Sequence, residues 1–192
     1  MANKESTFTN MVLTLFIVTL AASTTLGFIY ELTREPIAEA EMRKKNMAIR
    51  QVVPEFSNQP NEEFYKVAVD GDSLEFYPAE QNNELVGLAV SSFTDQGFSG
   101  RIRIMVGFEP DGTINNISVL QHAETPGLGD KIEKSKSEWS TQFNGKNPEQ
   151  FSLQVQKDGG DVDAITAATI SSRAYCDAVQ RAYKAFQKGV SR

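Results

Sequence analysis

The sequence predicts an α+β protein: one N-terminal transmembrane helix, then a single domain built on an antiparallel sheet with flanking helices. Three observations carry that class. No Asp, Glu, Lys or Arg occurs from Ser6 to Tyr30, and crossing the hydrocarbon core takes roughly 20 mostly apolar residues. Several β-type runs follow, joined by turns rich in Gly, Asp or Pro, which suits an antiparallel sheet. An amphipathic pattern of helical period closes the chain. At 192 residues there is room for the anchor and one ordinary domain.

Residues 1–10 read as a short tail and 11–30 as the membrane span. The whole-chain mean hydropathy of −0.34 hides that span. Ala21, Ala22 and Ser23 would suit a cleaved signal peptide, but the apolar run is longer than the 7–15 residues typical of a signal core. Its threonines, serines and Gly27 are residue types favoured where membrane helices pack together. Residues 31–54 read as a juxtamembrane helix, with Pro36 in its first turn, Pro54 as its stop and a mixed stripe of Ile37, Ala40, Lys44, Met47 and Val52. Arg34, Arg43, Lys44, Lys45 and Arg50 follow the span and only Lys4 precedes it. That count favours a cytoplasmic C-terminal side, although long domains cross largely regardless of charge.

Val67–Val69 and Leu74–Tyr77 around Asp70-Gly71-Asp72 predict a hairpin. Leu85–Phe93 is a further strand. Arg101–Phe108 alternates, with Ile102, Ile104 and Val106 on one face, and Pro110-Asp111-Gly112 turns it into Ile114–Leu120. Asp130–Trp139 predicts a short helix with Ile132 and Trp139 inward. Ser171–Lys188 predicts the clearest soluble helix, with Tyr175, Val179, Ala182 and Phe186 at helical spacing and Gly189 as its stop.

The composition restricts the chemistry. A net charge of −6 argues against a nucleic-acid binder. The only Cys cannot form an internal disulfide or a four-Cys cluster site, and the only His makes a multi-His metal site a narrow bet. Gly127-Leu128-Gly129 lacks the third glycine of a dinucleotide fingerprint, and Gly145-Lys146 lacks the rest of a P-loop. Asp158, Asp161 and Asp163 miss the EF-hand spacing, and Asp158 to Asp161 reads as a solvated turn. Cys176, in mid-helix, reads as a buried, inert thiol.

Two segments remain. Asp163 to Ser172, DAITAATISS, gathers hydroxyls and small residues and runs into the last helix. Free N–H groups and the positive dipole end favour a phosphate there. Capping by Thr169 or Ser171 is the plainer use of the same residues. Glu124 to Asp130, ETPGLGD, is a tightly turned loop that could cradle a flat polar ring or simply join a strand to a helix.

Together the two segments resemble a known family. Asp163-x-x-Thr166-x-Ala168-Thr169 resembles the flavinylation motif of proteins whose FMN is joined through its phosphate to a threonine. ETPGLG resembles the second signature of the FMN-binding domain family. Gly97 to Glu133 is similar throughout to the G subunits of Rnf complexes, which are ion-translocating ferredoxin:NAD oxidoreductases. The single anchor and Tyr77-Pro78-Ala79 fit as well. The C subunits of sodium-translocating NADH:quinone oxidoreductases share this architecture and are the nearer alternative, though Asp158-Gly159-Gly160-Asp161 and Ser171-Ser172-Arg173-Ala174 look more like Rnf.

This resemblance implies that residues 55–192 form an FMN-binding domain. It implies a phosphoester on Thr169, made by a flavin transferase that uses FAD, with Asp163, Thr166, Ala168 and Ile170 around it. Thr125, Gly127, Leu128 and Gly129 would contact the ring or its chain, and Glu124 would orient their loop. No catalytic residue and no metal are implied. The partners would be the membrane and redox subunits of an Rnf-type complex in a bacterial inner membrane, with the domain on the periplasmic side. One position departs: Ala167 stands where the family usually has Gly, whose use would be positive φ or close approach. A non-redox assembly subunit is the reading that departure leaves open.

Overall fold

The computed structural model describes residues 7–69 and 71–190. Positions 1–6 of the expected tail and Asp70 of the expected turn lie outside the described residues. Helix α1 runs Phe8–Val52, strands β1 to β5 run Tyr65–Val69, Asp72–Gln81, Glu84–Gly97, Gly100–Phe108 and Ile114–Gln121, and helix α2 runs Thr169–Val190. Between β5 and α2 lie three 3-10 turns at Gly129–Ile132, Glu138–Phe143 and Gln156–Asp158.

The chain divides into two units, residues 1–43 and 44–192. The described part of the first is helical from Phe8, so residues 8–10 belong to the helix and not to a tail. Its most apolar window has no buried residue, and it is long and apolar enough to cross a membrane. Thr14, Thr19, Ser23, Thr24 and Thr25 donate to the carbonyls of Asn10, Leu15, Thr19, Leu20 and Ala21 at 2.7–2.9 Å. The helix thus satisfies its own hydroxyls, as hydrocarbon requires, and they need no partner helix. Pro36 lies inside the helix, not in a first turn. It leaves the Leu32 carbonyl without its usual donor.

The second unit is a five-stranded antiparallel meander in the order β1-β2-β3-β4-β5. Each strand pairs with its sequence neighbour, so every connection is local. The predicted strands are present, with β3 extended to Gly97. Ile102, Ile104, Val106 and Phe108 face one side and pack with Tyr175, Val179, Ala182 and Phe186 of α2 in the main core. That contact is the reason for the helical spacing of those four α2 residues. Gly189 is not a stop, since the helix continues to Val190.

The opposite face carries Tyr77, Ala79, Ala89 and Met105, and the end of α1 covers it with Ala48, Ile49 and Val52. The buried stripe therefore differs from the predicted one, and Met47 is exposed. Asn115 and Asn116 side chains donate to the Val52 and Gln51 carbonyls at 2.8 Å, closing the helix end that Pro54 follows. Lys45 and the Tyr77 hydroxyl both donate to Glu75, at 3.0 and 2.6 Å. Burial opposes the Glu75 charge most strongly, but those two bonds and the charges of Lys45 and Lys66 together hold the carboxyl below its ordinary range.

The expected helix over Asp130–Trp139 is instead two short 3-10 turns, the second starting at Glu138 with Ser137 as its cap. Too few residues lie between the loop and that cap to sustain α-helical turns, so cooperativity never takes hold. Ile132 is nonetheless buried, as expected.

Candidate functional site

The two segments singled out from the sequence meet through Glu124. This carboxylate is 4% exposed. Its Oε2 accepts a short hydrogen bond from the Ser171 hydroxyl, in the first turn of α2. Its Oε1 accepts from the Ser99 N–H at 3.1 Å, at the tip of the β3–β4 hairpin. Three separate elements thus converge on one buried carboxyl group. The His122 ring accepts from the Glu124 N–H at 3.0 Å, and its other nitrogen lies 3.0 Å from Glu133. This braces the residues just before the loop.

The loop itself is a β-turn. The Leu128 N–H donates to the Thr125 carbonyl at 3.2 Å across Pro126 and Gly127, and Gly127 has φ +78°. Pro at the second position and a positive-φ Gly at the third are the residues this turn demands. Gly129 has a different reason. A Cβ there would come within 2.6 Å of Ser171 Oγ and 2.7 Å of Glu124 Oε2. Only glycine lets the loop pass this close to the helix.

The other segment also turns before its helix. The Ala168 N–H donates to the Ile165 carbonyl at 3.0 Å across Thr166 and Ala167. Ser172 fastens this turn from inside the helix: its hydroxyl accepts from the Ile165 N–H at 2.9 Å and donates to the Ala168 carbonyl at 3.0 Å. Asp163 is held through its backbone, by the Trp139 indole at 2.6 Å and the Gln142 side chain at 2.8 Å. Trp139 in turn packs edge-on against Phe143 and Tyr175 of the core.

Thr169 is the first residue of α2 and is partly exposed. Neither Thr169 nor Ser171 caps the helix: the Ser171 hydroxyl is committed to Glu124, and the Thr169 hydroxyl has no hydrogen bond among the described residues. The first helical bond runs from the Ser172 N–H to the Ala168 carbonyl. The N–H groups of Thr169, Ile170 and Ser171 are therefore left open, as the start of a 22-residue helix leaves them. Thr166 is exposed and Ala168 buried. Leu128 and Ile170 are large apolar residues left exposed on the two segments.

Nearby groups are excluded from acid–base or nucleophilic work. Cys176 is buried, and burial pushes its thiol up to about 12. Arg173 is committed to Asp158 by two bonds of 2.6 and 2.7 Å, and this pairing holds the Asp158 carboxyl below its ordinary range. Among the described residues no group of three His, Cys, Asp or Glu side chains could hold a metal. The residues that sequence reasoning missed are Ser99 and the bracing role of Ser171. Ser99 lies within the similar stretch from Gly97 to Glu133, but nothing local marks its backbone as a partner of Glu124.

Residues 97–184 match the FMN-binding domain family. Over 194 aligned positions the chain is 37% identical to the G subunit of the ion-translocating oxidoreductase complex of Aliivibrio fischeri, an alignment covering 93% of this chain and 90% of that one. The chain belongs to this G-subunit family. The family member of Salmonella typhimurium is 36% identical over 84% of this chain and 83% of its own. That of Shewanella oneidensis is 44% identical over a shorter stretch, 58% of this chain and 54% of its own. The FMN-binding match starts at the β3–β4 hairpin tip and ends within α2, so it contains every residue that meets at Glu124.

The departure at Ala167 now has a physical meaning. Ala167 has φ +63°, a left-handed conformation that costs a residue with a Cβ ~1–2 kcal/mol. Glycine would relieve this, and its extra freedom in the unfolded chain would return ~0.4–1 kcal/mol. Ala167→Gly is therefore expected to stabilise the protein by about 0.5–1 kcal/mol, measured by denaturant unfolding. A destabilised variant would show that the methyl group contributes more packing than its strain costs.

Proposed function

We propose that this chain is a membrane-anchored electron-transfer subunit that carries FMN as a phosphoester on Thr169, within an Rnf-type ion-translocating oxidoreductase complex. The observation that carries the reading is the free Thr169 hydroxyl beside three open N–H groups at the start of α2. A phosphate placed there meets backbone donors and the positive end of the helix dipole. The rest of the site suits a planar ring. Gly127 would have open space around an added Cβ, and Leu128 and Ile170 present apolar side chains to solvent. Asp130 Oδ1, at the end of the loop, is buried without a hydrogen-bond donor among the described residues. Such an orphan acceptor suits a ligand N–H.

In maturation, the Thr169 hydroxyl gives up its proton and forms an ester bond to the FMN phosphorus of FAD, with AMP leaving. A separate flavin transferase performs that step. When bound, FMN supplies the redox chemistry, and the protein supplies position and electrostatics. Asp163, Thr166 and Ala168 shape the turn that presents Thr169. Thr125, Gly127, Leu128 and Gly129 line the facing loop, and Glu124 holds that loop to α2. Helix α1 anchors the domain in the bacterial inner membrane, with the domain on the periplasmic side. The other membrane and redox subunits of the complex are its partners.

Chain purified from a host with the transferase is expected to be heavier by one esterified FMN and to fluoresce as a denatured band. A chain of unmodified mass would refute the attachment. Flavin released by acid precipitation would replace the ester by a dissociable FMN. Protease added to intact spheroplasts is expected to digest the domain, and complete protection would place it in the cytoplasm.

A further inference from the structure

The proposed flavin site has two apolar side chains, on the loop and on the helix, and the β3–β4 hairpin tip supplies a third. Phe98 is 64% exposed, more than Ile170 at 48% or Leu128 at 41%. Each of the three is the chain neighbour of a residue held at Glu124. Phe98 precedes Ser99, whose N–H donates to Oε1. Leu128 precedes Gly129, which lies so close that a Cβ would be 2.7 Å from Oε2. Ile170 precedes Ser171, whose hydroxyl donates to Oε2. The hairpin also presses on the carboxylate at Gly97, where a Cβ would be 2.8 Å from Oε1. Adjacent Cα atoms are 3.8 Å apart, so the backbone positions that bear these three exposed apolar residues each lie one residue from a contact with the same buried carboxyl group. An exposed phenylalanine beside such an anchored backbone has a large face to offer a planar ligand.

We propose that Phe98 is a wall of the flavin site, flanking the planar ring together with Leu128 and Ile170 and shielding it from water, and that Glu124 is the positioning residue that holds all three. This rests on the reading that FMN is carried at Thr169. Nothing in the flavinylation motif or the ETPGLG signature requires a hairpin residue.

The test uses the full chain in detergent, loaded in a host with the transferase. Intact mass first establishes flavin content. Iodide quenching of the flavin fluorescence then reads solvent access to the ring. Phe98→Ala is expected to keep its flavin and to raise the quenching constant about twofold or more, since an aromatic side chain covers ~150–250 Å². Leu85→Ala, which removes an apolar residue that is 44% exposed at the far end of β3, is expected to leave quenching unchanged. Glu124→Gln keeps an acceptor for Ser99 and is expected to quench like the parent. Glu124→Ala, read well below its melting temperature, is expected to quench like Phe98→Ala. Loaded Phe98→Ala with unaltered quenching overturns the proposal while leaving the flavin reading intact. A parent chain without flavin overturns both.

Discussion

Thr169→Ala is expected to abolish covalent flavin: the protein should have its unmodified mass, and its denatured band should be dark. The loss is complete because the proposed attachment has one acceptor oxygen, and alanine removes it. The fold should be nearly untouched. Thr169 opens α2, is partly exposed, and its hydroxyl bonds to nothing among the described residues. Exchanging Thr for Ala within a helix changes stability by no more than ~0.7 kcal/mol. The separation of a total chemical effect from a small structural one is the signature of an attachment point. Thr169→Ser keeps the hydroxyl and is expected to retain part of the label. A Thr169→Ala chain that still carried flavin would move the acceptor to another hydroxyl, with Thr166 the nearest exposed one in sequence.

Glu124→Ala has the largest expected effect on stability. It removes the acceptor for Ser171 and for the Ser99 N–H, and it empties a site that is 4% exposed. Hydrogen bonds to a charged group contribute ~1.5–3 kcal/mol each, and an orphaned buried donor adds ~1–3 kcal/mol. Part of this is recovered when Ser171 rotates to another partner, so the expected loss is about 3 kcal/mol. Glu124→Gln keeps an acceptor for Ser99 and can donate to Ser171, and should lose about 1 kcal/mol. Denaturant unfolding followed by Trp139 fluorescence is the natural measurement. Trp139 is the only tryptophan, and it packs on Phe143 and Tyr175 while holding the Asp163 carbonyl. A loss below about 1 kcal/mol for Glu124→Ala would show that water replaces the carboxylate at little cost.

Much of the scaffold is legible in the chain because its contacts are local. The meander joins only sequence neighbours, so alternation in Arg101–Phe108 and the Pro110-Asp111-Gly112 turn suffice to place β4 beside β5. The stripe of Tyr175, Val179, Ala182 and Phe186 likewise identifies the buried face of α2. Misreadings occur where local rules conflict or where a distant element decides. Gly189 resembles a stop, yet α2 continues to Val190. The segment after Gly129 has an inward Ile132 but too little length for an α-helix, and it folds as 3-10 turns. The stripe at the end of α1 is set by the sheet face it meets, which selects Ala48, Ile49 and Val52.

The candidate site divides in the same way. The uncharged run from Ser6 to Tyr30 and the turn chemistry of Pro126-Gly127 are properties of short segments, and composition and spacing determine them; the proposed acceptor Thr169 is marked in the sequence by its resemblance to a motif. The conformation of Ala167, the burial of Glu124 and its grip on Ser99 and Ser171 are not. Glu124 and Ser171 are separated by 47 positions, and the carboxylate contributes only once the sheet and α2 have excluded water around it. Sequence alone therefore determined which residues are available for the chemistry. The tertiary structure decided which of them meet, because a buried hydrogen bond takes its strength from the packing that removes its competitors.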